Sequence, residues 1–134
     1  MTLCLDNTVL SDYLDGKEEA RRFLRRYEDR RWTVSTVVVY EAFMGSLYGY
    51  IGGDVPTIES AITASMDVLP VTIETAREAG ELQRELLDLG VPTHLPDGLI
   101  AANAREHGAA FVTGDEHFWK EGVREVLDVI EYEI

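Results

Sequence analysis

Four carboxylates occupy positions where solubility alone does not require them: Asp6, Glu41, Asp97 and Asp115. Asp6 directly follows the apolar stretch Thr2-Leu3-Cys4-Leu5, and Asp97 begins a helical pattern after Pro96. Asp115 follows the run Ala109-Ala110-Phe111-Val112-Thr113, with the Thr113 hydroxyl two residues before it. Glu41 sits in TVVVYEAFMGSLYGYI, where its same-face helical neighbours are Val37, Val38, Met44, Gly45 and Tyr48. A carboxylate inside an apolar stripe is expensive unless a cation or donors compensate it, and Gly45, one turn on, leaves room beside it. Each acid also has an ordinary reading. Asp6 and Asp97 suit helix caps, Asp115 suits a turn, and Glu41 suits a buried pair with an arginine. Asp97 also gains from the dipole at a helix start.

The elements that must position these groups can be read from periodicity. TLCLD, WTVST, DVLPV, AAFVT and a segment near VLDVIEY are short and apolar, as buried strands are. Helical patterns separate them: residues 7–16 ending at Gly16, 17–30, the long segment from residue 36, 57–66 after the turn GGDVP, 73–90, and 97–107. In residues 73–90, Ala79, Leu82, Leu86 and Leu89 form the apolar stripe, while Glu74, Glu78, Glu81, Glu85 and Asp88 mark a solvated face. Alternation of this kind predicts an α/β fold, a parallel sheet covered on both faces. Ligands of such sheets bind beyond the carboxyl ends of the strands, so Asp6, Thr113 and Asp115 are expected at one sheet edge. Four acids gathered there need a counterion, because two like charges about 4 Å apart cost roughly 4 kcal/mol at an effective dielectric near 20. An all-oxygen set selects Mg2+ or Mn2+, and the lack of histidine or thiolate in it makes zinc a poor fit.

Composition narrows the class. The 134 residues suffice for one domain with a real core, and 46% hydrophobic residues exclude disorder. No apolar run approaches a membrane span. MTLCLDNT lacks a basic segment and does not read as a secretory signal. The single cysteine, Cys4, fits a reducing cytoplasm and reads as core. The net charge of −13, with only two lysines among the bases, suggests a salt-rich cytoplasm in which self-repulsion is screened. Residues 17–31, KEEARRFLRRYEDRR, invert that balance with seven bases to four acids. The segment from Arg21 to Arg31 is therefore a candidate contact for a polyanion or an acidic partner; alternatively it is a helix laced with pairs such as Glu18 with Arg21 and Arg22.

Three ordered motifs run nearly end to end: CLDNTVLSDYL, STVVVYEAFMG and PDGLIAANAREHGAAFVTGDEHF. With these, the chain resembles the PIN-domain ribonucleases, most closely the small single-domain toxins of the VapC type. The resemblance implies a PIN-like three-layer α/β/α sandwich over 1–134 with a central parallel sheet of about five strands. It implies metal-dependent endonucleolytic cleavage of RNA, with Asp6, Glu41, Asp97 and Asp115 as the acidic site and Thr113 beside them. It also implies a cognate antitoxin, a homodimer, and products carrying a 5′-phosphate and a 3′-hydroxyl. Two positions depart from the pattern. Many relatives read Asp-Thr-Asn where this chain reads Asp6-Asn7-Thr8, and some carry a further acid where this chain has His117, which puts a second metal site in doubt. His117 and His94 read as loop residues or substrate contacts, and His107 as a helix end.

On this reading Asp6 and Asp97 hold the Mg2+ or Mn2+, Asp115 and Glu41 bind it through water or serve a second ion, and Thr113 orients a carboxylate or the attacking water. Tyr27, Tyr48 and Trp119 are candidate RNA contacts or core. A second hypothesis is a PIN-fold antitoxin-binding or regulatory subunit with little or no nuclease activity. A phosphatase of the haloacid type, suggested by LDNTV, lacks the second aspartate that its motif needs at Thr8.

Overall fold

The computed structural model describes residues 1–134 and contains one sheet of five parallel strands. These are β1 (Thr2–Leu5), β2 (Arg31–Ser35), β3 (Asp67–Leu69), β4 (Ala110–Thr113) and β5 (Val129–Glu131), arranged in the order β3-β2-β1-β4-β5. Seven α-helices accompany them: α1 (Asn7–Leu14), α2 (Glu18–Arg25), α3 (Thr36–Leu47), α4 (Val55–Ser65), α5 (Ile73–Asp88), α6 (Asp97–Glu106) and α7 (Glu121–Arg124). The result is the expected α/β/α sandwich. The central strands have no polar face: Leu3, Cys4, Leu5, Val34, Phe111 and Val112 are buried because helices cover both sides. Cys4 lies in this core, where burial pushes its thiol up to about 12. No helix is long and apolar enough to cross a membrane.

The strand order places the site. From β1 the chain adds β2 and then β3 on one side; after α5 and α6 it returns to pair β4 on the other side of β1. The order therefore reverses between β1 and β4, and a crevice opens beyond their carboxyl ends. Leu5 pairs in register with Val112, so the residues that leave the two strands, Asp6 and Thr113, emerge side by side. Asp6 stays in the ladder through its N–H, which donates to the Val112 carbonyl at 2.9 Å.

Several elements differ from their sequence reading, each for a local reason. The helix expected over 17–30 ends at Arg25 and gives way to turns before β2. Val55 and Pro56, read as turn, open α4, because the Asp54 carboxylate caps it by accepting the Thr57 N–H at 3.0 Å and proline suits a first helical turn. Gly45 makes room for Ile51: a Cβ there would lie 2.8 Å from Ile51 Cδ1. On α5 the buried stripe is Thr75, Leu82 and Leu86, and Leu89 is exposed past the helix end.

The acidic face of α5 is not uniformly solvated either. Arg105 of α6 lies between Glu78 and Glu85, bonded to the first through Nε and to the second through Nη2 at 2.9 Å, while Nη1 donates to the Val126 carbonyl at 3.1 Å. Removing one member of a shielded ion cluster leaves its partners uncompensated, whereas exposed pairs contribute little. Arg105→Ala should therefore lower stability by about 2 kcal/mol. Arg84→Ala, which breaks the exposed pairs to Glu81 and Asp88, should leave it unchanged within measurement error. Urea denaturation of both variants checks the contrast.

Candidate active site

Asp6 is the most constrained of the four acids. It caps α1, with Oδ1 accepting the Asn7 N–H at 2.8 Å, and its other oxygen, Oδ2, accepts the Thr113 hydroxyl at 2.6 Å. Cap and site residue are thus one and the same. Thr113 is fully buried; its Oγ1 also accepts the Asp115 N–H at 3.0 Å, and its carbonyl accepts from Trp119 Nε1 and Tyr132 N–H, both at 2.9 Å. One hydroxyl therefore ties the end of β1 to the loop after β4. Asp115 caps the short 3-10 turn Glu116–Trp119 by accepting the His117 N–H at 3.0 Å.

Asp97 does not act as a cap. It is the first residue of α6, preceded by Pro96, and no side chain caps this helix. Its carboxylate is half-buried near Asp115, His94 and His117. Glu41 has no arginine partner, and its Oε1 is buried without any hydrogen-bond partner. His117 Nε2 is likewise buried and unpartnered.

Electrostatics shows which groups are neighbours. Burial raises the Asp6 carboxyl above the usual range against the pull of Thr113 and Asn7, and the charges of Asp97 and Asp115 raise it further. Burial is also the main cause for Glu41, followed by the charges of Asp6 and Asp97. Asp97 is raised by burial and then by Asp115, while His94 and His117 act in the opposite sense. The four acids named from the sequence thus form one mutually repelling group at the β1–β4 crevice. They are not closed into a cage: no three histidine, cysteine or carboxylate groups stand ready-made to hold a metal ion.

The sequence reading missed the cavity beside Glu41. Asn7 and Ser11 line it from α1 together with Tyr50. Their spacing of four residues was the available signal, since it puts both polar groups on one helix face. Of the three aromatics considered for RNA, Tyr27 packs on Phe23 and Trp119 is tied to Thr113, leaving only Tyr48 exposed. Arg31 begins β2 in register with Thr2, at the sheet edge opposite the acids, and is paired with Asp67. Glu18 approaches Arg25, at 3.9 Å, in place of Arg21 or Arg22.

A raised carboxyl binds protons more tightly folded than unfolded, so its contribution falls as pH rises from the ordinary carboxylate range through the raised value. Glu41→Gln removes that penalty. In metal-free protein the variant should melt above wild type at neutral pH, and the gain should shrink to nothing as pH falls below about 4. Thermal melts from acid to neutral pH test the sign.

The same fold occurs in solved structures. VapBC2 from Rickettsia felis bound to a DNA fragment from its promoter matches with a TM-score of 0.78 and 16% identity, over 99% of this chain and 100% of that one. A toxin–antitoxin complex from Klebsiella pneumoniae matches with 0.77 and 20% identity, over 98% and 99%. VapBC-5 from Mycobacterium tuberculosis matches with 0.67 and 24% identity, over 99% and 98%. At such identities the likeness is one of fold. No match is found among curated proteins. The PIN-domain family model matches residues 3–121, which contain all four acids and Thr113, and the chain belongs to the PIN-domain family.

Proposed function

We propose that this PIN domain is a metal-dependent endoribonuclease that hydrolyses RNA phosphodiester bonds, acting as the toxin of a type II toxin–antitoxin pair. The observation that carries the reading is the buried, unpartnered Glu41 Oε1 within a group of acids that raise one another's pKa. Such a group is stable only with protons or a cation. The donors are all carboxylate oxygens, which suits Mg2+ or Mn2+. Asp6 and Asp97 would hold the ion, with Asp115 and Glu41 binding through water or serving a second ion. When bound, such an ion would supply Lewis-acid polarisation of a phosphoryl oxygen and would lower the pKa of a water.

The chain's own contribution is orientation. Thr113 and the Asn7 N–H each hold one oxygen of Asp6, fixing the carboxylate plane. The Asp115 N–H on Thr113 Oγ1 couples that plane to the β4 loop. Burial of Asp6 restricts competing water around it.

The similar solved structures named above are toxin–antitoxin systems, which supports an antitoxin partner here. We place that partner, and a second copy of the chain, in a salt-rich cytoplasm. Arg21, Arg22, Arg25 and Arg26 are exposed on and just after α2, and Arg31 lies at the opposite sheet edge from the acids. This arrangement favours docking of an acidic antitoxin segment there over contact with the reacting phosphate.

Purified, partner-free protein should cut RNA with Mn2+ or Mg2+ and not with EDTA, at low and high KCl. Asp6→Asn should abolish cutting, and Thr113→Val should reduce it by about 10- to 100-fold, the effect of losing an orienting hydrogen bond. Equal trace activity in wild type and Asp6→Asn would hand the function to the alternative reading, an antitoxin-binding subunit with little or no catalysis. The halophilic reading has its own test: the melting temperature should rise from about 0.1 to about 2 M KCl as screening relieves the net charge.

A further inference from the structure

The cavity that Glu41 lines has a volume of about 230 Å³, more than a single ion fills. Val38 and Ile51 contribute apolar wall, and Asn7 and Ser11 contribute an amide and a hydroxyl from α1. Tyr50 belongs to its lining and is nevertheless 81% exposed. Tyr48, 69% exposed, lies beside it, with ring centroids 6.5 Å apart and planes tilted by 41°.

This aromatic pair is held in place. The Tyr50 and Ile51 N–H groups both donate to the Gly45 carbonyl, at 2.7 and 3.1 Å. Ile51 is buried against Gly45, where any Cβ would collide with it, and Gly49 takes a φ of +79° to turn the chain between the two tyrosines. That conformation favours glycine. The turn therefore anchors one residue, Ile51, in the core while leaving two aromatic rings in solvent, one of them, Tyr50, at the cavity that Glu41 also lines.

An acidic nuclease gains little from phosphate attraction, and less as salt rises. Bases remain available, because every base offers a π-face to an aromatic ring, and single-stranded RNA also exposes hydrogen-bonding edges. A cavity smaller than the roughly 300–1,000 Å³ usual for ligands suits one base. Resting on the nuclease reading, we propose that this cavity and the Tyr48–Tyr50 pair receive one unstacked nucleobase of single-stranded RNA, stacked on Tyr50 and read at its edge by Asn7 and Ser11.

Binding in EDTA separates this subsite from catalysis. The probes are a fluorescein-labelled single-stranded RNA of about ten nucleotides and its fully abasic counterpart, with variants whose folding is confirmed by thermal melts. Wild type should bind the RNA about tenfold or more tighter than the abasic strand. Tyr50→Ala, and Ser11→Leu, which fills the cavity, should lose that preference; Tyr40→Ala, exposed on α3 outside the cavity, should keep it. Equal binding of both strands by wild type overturns the proposal, as does a preference that survives in Tyr50→Ala and Ser11→Leu. A Tyr50→Ala protein that changes from dimer to monomer with RNA binding unaltered also overturns it and assigns the tyrosines to a second copy. Base preference without metal-dependent cutting removes the nuclease reading and leaves the subsite standing.

Discussion

The Asp6 carboxylate can rest against the Thr113 hydroxyl only because β1 and β4 are parallel neighbours whose carboxyl ends finish together. That bond joins residues 107 positions apart in the chain, and the rest of the site is arranged around it. Asp115 hangs from the same hydroxyl, Trp119 and Tyr132 close on the same residue's carbonyl, and α1 starts from Asp6 itself. A shift of β4 by one residue would turn Thr113 to the other face of the sheet and separate the pair.

Holding acids together works against stability. Burial and mutual repulsion raise Asp6, Glu41 and Asp97, and only Asp6 has strong donors in return. The contrast with Arg105 is instructive: there a guanidinium sits between Glu78 and Glu85 and bonds to both. One carboxylate cluster in this protein is therefore neutralised internally and the other is left open. Functional sites are where such uncompensated groups collect, and the open cluster sits in the crevice where open α/β sheets bind ligands.

Much of this was legible from the residues. Short apolar strands alternating with helices dictate a covered parallel sheet, because apolar runs without alternation must be buried on both faces. The end positions of Asp6 and Asp115 follow from those strand boundaries. Less legible were features that depend on what packs opposite. Gly45 reads as space for Glu41, and it does line the cavity that Glu41 lines, but the sequence does not show that Ile51 packs against the same glycine. The acids of α5 read as one solvated face, since helical spacing alone cannot reveal that Arg105 comes from another helix to hold two of them.

Residue type and local spacing determined most of the elements and which acids stand at strand and helix ends, because hydrophobic period and chain position are local properties. The tertiary structure alone decided which helix face meets which strand. It placed Thr113 on Asp6, left Glu41 Oε1 without a donor, and exposed Tyr50 at the cavity that Glu41 lines. Those outcomes depend on packing between segments far apart in the chain, and no short-range pattern encodes the strand order that brings them together.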